Sequence, residues 1–256
     1  MEYSWEKLRK EITSQPPLDE QGNTRLVLWR GQRDTSWNLA SAFERLAAKR
    51  LEDSPDETKE KKRLSALKNK LYQEFKLRIV GSTSVRVREL AGQPQQLWAI
   101  GRHFGLLTPL LDWTESSYIG LFFAIRDLLD HRKEPSGKIV LQQDDEVALY
   151  KLVQSEDLTD GTLKIERSRI EGLSRLTAQK GAFTFLDDDT FRYLSIEAFL
   201  DEKGKKACLT KYVLHGDDEI KAALAEINAA GIDARMLLPD EHGAAQAVNV
   251  LAENLV

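Results

Sequence analysis

The 256-residue chain holds one cysteine and four histidines, and each scarcity excludes something. A lone Cys208 cannot form an internal disulfide, so the fold does not depend on an oxidising compartment. Between Ala207 and Leu209 its thiol reads as a small hydrophobe in a short strand. Histidines scattered at His103, His131, His215 and His242, with one cysteine, give no metal-ligand spacing, and no glycine-rich phosphate loop is present. Zinc enzymes and P-loop nucleotidases are excluded, and no metal is expected. No window approaches eighteen uncharged apolar residues, and the longest apolar stretch, Tyr118 to Ile125, is too short to span a bilayer. The opening MEYSWEKLRKEITS lacks the apolar run behind a basic stretch that a secretory signal needs. These readings predict a cytoplasmic protein with no membrane partner.

What the chain does have is ordinary globular material: 41% hydrophobic and 30% charged residues, with 37 Lys plus Arg against 41 Asp plus Glu. A chain of this size buries roughly three quarters of its extended surface on folding, so its core needs no staples. It reads as one domain over residues 1–256. A net charge of -4 excludes a polycationic coat but leaves room for a local basic groove.

Trp5, Leu8 and Ile12 recur at helical spacing within residues 1–20 and predict a short N-terminal helix ending before Pro16-Pro17. Residues 25–30, RLVLWR, read as a strand, with Gly31 permitting a close backbone approach. Residues 41–80 read as a helical insert in two pieces, the second carrying Leu64, Leu67, Leu71, Phe75 and Ile79 on one stripe. Between Lys49 and Arg78 there are ten basic and six acidic side chains. Two readings stand: a solvated face opposite an apolar stripe, or a phosphate-facing surface around Lys61 to Arg63, extended by Arg86, Arg88 and Arg102.

Residues 97–126 are the densest apolar and aromatic part. Leu110 to Trp113 reads as a strand entering the helix SSYIGLFFAIRDLL, capped by Thr114 or Ser116, so Asp112 stands near a strand-helix junction. Strands are expected at KIVLQ, VALYKLV, a run led by Gly181, and ACLTKYVL. A helix over DDEIKAALAEINAA ends at Gly231, and a further helix follows MLLPDEHG. Without regular βαβ alternation the class is α+β, with a single mixed or antiparallel sheet flanked by helices.

Polar residues gather at strand ends, where a fixed backbone aims a side chain: Arg30, Gly31 and Gln32; His103; Asp112 with Thr114 and Ser116; Gln179 with Gly181. Arg30 reads equally as an ion-pair partner for Asp112 or as a ligand clamp. His103 reads as a satisfied core histidine or a general base.

The runs LVLWRGQ, GRHFGLLTPLLDWTESSYIGLFFA, RLTAQKGAFT and GIDARMLLPDEHGAA resemble the FRG domain family, named for a Phe/Tyr-Arg-Gly signature. Trp29, Arg102 and Pro109 depart from the family's Phe/Tyr, Gln and Arg places. The resemblance implies a bacterial protein with a defence or toxin flavour and a regulatory or antitoxin partner. In outline the chain is also similar to ADP-ribosyltransferases. That likeness implies NAD as substrate, catalytic Arg30, His103, Asp112 and Gln179, and cofactor contacts from Arg30, Gly31, Gln32, Thr114 and Ser116. Gln179 stands where those enzymes carry a Glu, and a neutral amide cannot stabilise oxocarbenium-like charge. A substitute carboxylate is then needed, first Asp112, then Asp187 or Glu197. Two other classes remain open: a nucleotide- or nucleic-acid-directed hydrolase using the 49–78 basic helix, and a non-catalytic sensor or partner-binding module.

Overall fold

A computed structural model describes residues 2–82, 94–155, 158, 161–167 and 177–238. Its strands are β1 (Glu2–Tyr3), β2 (Val27–Gln32), β3 (Leu111–Thr114), β4 (Glu146–Val153), β5 (Leu163–Arg167), β6 (Gly181–Leu186) and β7 (Leu209–His215). They form one seven-stranded sheet in the order β1-β7-β4-β2-β3-β6-β5. The short β1 pairs with β7 in parallel, and the other neighbours are antiparallel. Around the sheet lie α1 (Trp5–Ile12), α2 (Ala42–Glu52), α3 (Glu57–Ser82), α4 (Pro94–His103), α5 (Ser117–His131), α6 (Ile196–Glu202), α7 (Asp217–Ala229) and α8 (Ala234–Leu237). The class is α+β with a mixed sheet, as the interspersed pattern predicts.

Alternation along β2 divides its side chains between two faces. Trp29 joins Leu149, Tyr212 and Leu214 in a core covered by α5, which contributes Ile119, Leu121 and Ile125, and by α1 and α7. Leu28 joins Leu39, Trp113, Tyr150, Leu152 and Phe199 in a second core on the opposite face. Arg30 and Gln32 alternate with Trp29 and Gly31, so they project toward that second face, opposite Tyr150 and Ala148 of β4.

Helix ends follow their local chemistry. Ser41 and Glu44 form a reciprocal capping box that starts α2, an arrangement worth about 1 kcal/mol. Ser116 caps α5 through Ile119 N. Gly231, at φ +79°, follows the end of α7 and supplies the left-handed residue expected there. In the 41–80 insert, Leu64 and Ile79 are buried, and Leu67, Leu71 and Phe75 pack against neighbouring clusters, so the predicted stripe is the packed face.

Two strand expectations change. KIVLQ forms a single bridge, Lys133 with Ile139, and its Ile139 and Leu141 pack on the core without a ladder partner. Cys208 ends a 3₁₀ turn, Lys206–Cys208, and the strand starts at Leu209. The helix expected after MLLPDEHG, Arg86 and Arg88, and the Arg175-Leu176 part of the RLTAQKGAFT run lie outside the described residues.

Candidate functional site

β2 and β3 share one ladder pair, Trp29 with Thr114, and separate beyond it. Arg30 serves this parting: its Nη1 donates to the backbone carbonyl of Asp112 at 2.7 Å. The Asp112 carboxylate is held by a different arginine. Arg102, on the last turn of α4, donates to Asp112 Oδ2 from Nη2 at 2.8 Å and from Nε at 3.1 Å. Arg102 stands where the family pattern has Gln, so the departure noted in the sequence supplies the counter-ion.

Arg45, on α2, extends this basic group, and its Nη1 donates to Ala40 O at 2.7 Å. Burial holds the Arg30 guanidinium below its usual range. The Asp112 charge opposes that shift, and the positive charges of Arg102 and Arg45 reinforce it. Attraction to Asp112 raises Arg102 instead. One further polar atom of Arg30, Nε, is buried with no hydrogen-bond partner among the described residues.

Tyr150, opposite Arg30 in the β2–β4 ladder, donates from its hydroxyl to Trp37 O at 3.2 Å. Its phenol is pushed up to about 12, first by burial and then by the negative charge of Glu197. Glu197, at the start of α6, accepts from Leu39 N at 2.9 Å through both carboxylate oxygens. Thus Glu197 is a carboxylate whose charge reaches Tyr150, as the charge of Arg30 does from the other direction. Asp187 pairs with Lys164 across β5 and β6. Gln32, 6% exposed, donates from Nε2 to Asn38 O at 3.4 Å, while its buried Oε1 has no partner among the described residues.

Three sequence-selected residues form a second group. Thr114 Oγ1 donates to Gln179 O at 2.7 Å and accepts from Ser116 N at 3.1 Å. Gln179 Nε2 donates to Leu237 O at 3.0 Å. Because Thr114 pairs with both Trp29 and Gly181, this group sits at the end of β3 away from Asp112. Two residues of strand separate Thr114 from Asp112, roughly 7 Å. The structure therefore unites Arg30, Asp112 and Arg102, and places Thr114, Ser116 and Gln179 in a junction that ties β3, β6 and α8 together.

Gly31 faces α5. A Cβ there would overlap the Gly120 carbonyl oxygen and stand 2.7 Å from the Ala124 Cβ. Its place in the Arg-Gly signature is thus accounted for by helix-on-strand packing. His103 ends α4, partly buried, with its ring edge-on to Phe104 at 4.9 Å.

The basic insert is interleaved with acids. Lys61 pairs with Glu57, Arg50 and Arg63 flank the buried Glu60, Lys68 pairs with Asp189, and Arg78 pairs with Glu74.

Arg45, Tyr150 and Trp37 were not singled out by the sequence. Tyr150 had a weak signal, since it is the one polar-tipped side chain among the inward positions Ala148, Tyr150 and Leu152. Arg45 and Trp37 had none, because their proximity to Arg30 and Tyr150 arises when the chain after β2 folds back.

The family model of the FRG domain matches residues 25–133. That segment, containing β2, α2, α3, α4, β3 and α5, is an FRG domain, and it includes Arg30, Arg45, Arg102 and Asp112. Tyr150, Gln179 and Glu197 lie beyond it. No curated protein and no solved structure matches the chain. No described helix is long and apolar enough to cross a membrane. Among the described residues, no group of three or more His, Cys, Asp or Glu is placed to hold a metal ion.

Proposed function

We propose that this FRG-domain protein binds a phosphate-bearing nucleotide at the Arg30, Arg45 and Arg102 group, with NAD as the first candidate. The observation that carries this reading is Arg30, whose Nε is buried and unpartnered among the described residues, meeting Arg102 at Asp112, with Arg45 near enough for its charge to act on Arg30. Guanidiniums suit phosphate because their donors match its oxygens in pairs. A buried donor left unmatched costs about 1–3 kcal/mol, and a ligand acceptor that satisfied it would recover part of that.

Turnover of NAD, as ADP-ribosyl transfer or glycohydrolysis, would need an anionic group beside the charge that develops as nicotinamide leaves. Glu197 is the better candidate for that role than Gln179, because it shares Tyr150's surroundings with Arg30. In this reading Arg30 clamps phosphate, the Asp112 carbonyl orients Arg30, Arg102 adds positive charge that Asp112 partly offsets, and Thr114 and Ser116 hold the β3–α5 junction. A toxin or anti-phage defence effector, checked by a partner protein, is the cellular role such chemistry would serve.

A second reading, a binding module without turnover, is favoured by one specific observation. Asp112 is engaged by Arg102, Glu197 by Leu39 N and Gln179 by Leu237 O, so the reactive-looking groups already hold the fold. Calorimetric titration with NAD, followed by measurement of released nicotinamide, separates the two. Wild-type binding that Arg30→Ala weakens at least tenfold supports the nucleotide site. Release that Glu197→Gln abolishes supports turnover, and binding without release supports the module. Absence of NAD binding by the folded wild-type protein overturns the NAD assignment.

A further inference from the structure

Tryptophans Trp5, Trp29, Trp98 and Trp113 are buried, whereas Trp37 is 41% exposed. It lies in the segment that leaves β2 and folds back over the second core, where Leu39 is fully buried. The backbone on both sides of the ring is fastened to the residues described above. Tyr150 donates to Trp37 O, Gln32 donates to Asn38 O, and Leu39 N donates to Glu197. Farther back, Thr35 contacts Glu146 through its hydroxyl and Lys211 through its carbonyl. An exposed aromatic residue on so constrained a loop keeps its place without a ligand, which lowers the ordering cost of binding one.

One face of the indole is already covered. The Arg33 guanidinium lies 4.7 Å from the Trp37 ring centroid and is itself anchored 3.6 Å from Asp127 on α5. The exposed 41% of the residue is what remains for a flat partner, and a cation on the ring reinforces the stack electrostatically. The second sign of a missing partner is Gln32. Its side chain is 6% exposed and its Oε1 is an unmatched acceptor, on the residue whose amide holds the carbonyl next to Trp37. Nucleobases combine a π-face with exocyclic N–H donors, so they offer both the stack and the donor that Oε1 lacks.

We propose that Trp37, backed by Arg33, is the stacking platform for the base of a nucleotide whose phosphates engage the Arg30 group. The inference rests on the nucleotide reading above and narrows it: the ligand carries an aromatic base, and a base-free sugar phosphate is a poor substitute.

The test compares ADP with ribose 5-phosphate on the full chain, by calorimetry and tryptophan fluorescence, with thermal melts confirming folding. Wild type is expected to bind ADP about tenfold or more tighter than ribose 5-phosphate, and ADP alone to quench its fluorescence. Trp37→Ala should bring ADP down to the ribose 5-phosphate level and leave ribose 5-phosphate unchanged. Trp37→Tyr should restore much of the difference. Equal ADP affinity in wild type and Trp37→Ala overturns the platform while the arginine site stands. Binding of neither probe by wild type overturns both. If Trp37→Ala loses both probes, Trp37→Tyr decides: recovered phosphate binding without recovered preference for ADP overturns the platform.

Discussion

Gly31 lies against the carbonyl of Gly120 so closely that no side chain fits between β2 and α5. Gly120 in turn stands 3.3 Å, measured from an ideal Cβ position, from the Trp29 Cβ. The pair lets α5 settle directly on the strand that carries Arg30, and so fixes the height at which that guanidinium meets β3. A signature glycine beside a signature arginine thus acts through packing.

Gly31→Ala should therefore destabilise the fold by about 1–3 kcal/mol, the usual cost of forcing a methyl group into a filled contact. Urea unfolding would show a lower midpoint with little change in slope. Any loss of nucleotide binding in this variant should follow the folded fraction, whereas Arg30→Ala should lose binding while remaining folded.

The Arg102–Asp112 pair is well formed but about a third exposed on each side, at 35% and 41% of the side chain. Solvent screening limits its stability contribution to about 0.2–1 kcal/mol. A double-mutant cycle with Arg102→Met and Asp112→Asn should return a coupling energy in that range. Its larger effect should be on ligand affinity, because Asp112 offsets the positive charge around Arg30. Asp112→Asn should tighten phosphate binding at low salt, and the gain should shrink as salt is added.

Trp113 Nε1 donates to Thr184 Oγ1 at 2.8 Å in a buried contact between β3 and β6. Thr184→Val leaves the indole N–H without an acceptor and should cost about 1–3 kcal/mol. Thr184→Ser, which keeps the oxygen, should lie closer to wild type. Chemical denaturation of the two variants in parallel checks the difference.

Glu44 is buried at the start of α2, and burial raises its carboxyl from the ordinary 4.5 to about 7. Bonds from Ser41 and the positive charges of Lys68 and Arg45 oppose that rise without cancelling it. The folded state then holds a proton that the unfolded state has already released. Glu44's favourable contribution is full below pH 4.5 and is lost as pH rises through about 7. Its size is on the order of 3 kcal/mol, following from 1.36 kcal/mol for each tenfold change in proton affinity. Glu44→Gln keeps an acceptor for Ser41 N without the charge. Melting temperatures taken between pH 4.5 and 8 should fall more steeply for wild type than for this variant.

Much of the frame was legible along the chain. The spacing of Trp5, Leu8 and Ile12 gave α1, the Leu64-to-Ile79 stripe gave α3, and Ser116 before an apolar run gave the start of α5. Each of these signals is local, a period or a cap that a few neighbouring residues specify. Strand β5 and the helices α4 and α6 were not foreseen, because their short segments acquire meaning from the neighbours they pack against. KIVLQ failed as a strand for the converse reason: it alternates correctly, yet β4 finds its partners in β2 and β7.

The candidate site divides in the same way. Arg30 and Asp112 were marked by their places at strand ends, and their association survives, although through the Asp112 carbonyl. Thr114, Ser116 and Gln179 carried equal weight in the sequence, and register moved them to the far end of β3. Residue order by itself determined the α+β class, the FRG signature, and an arginine aimed from the end of an apolar strand. Tertiary structure alone decided which groups share that arginine's surroundings, because Arg45, Arg102 and Tyr150 are dispersed along the chain and meet only when strands pair and loops fold back. Which face a side chain occupies, and which charge it answers, depends on pairing register, and no single segment contains that information.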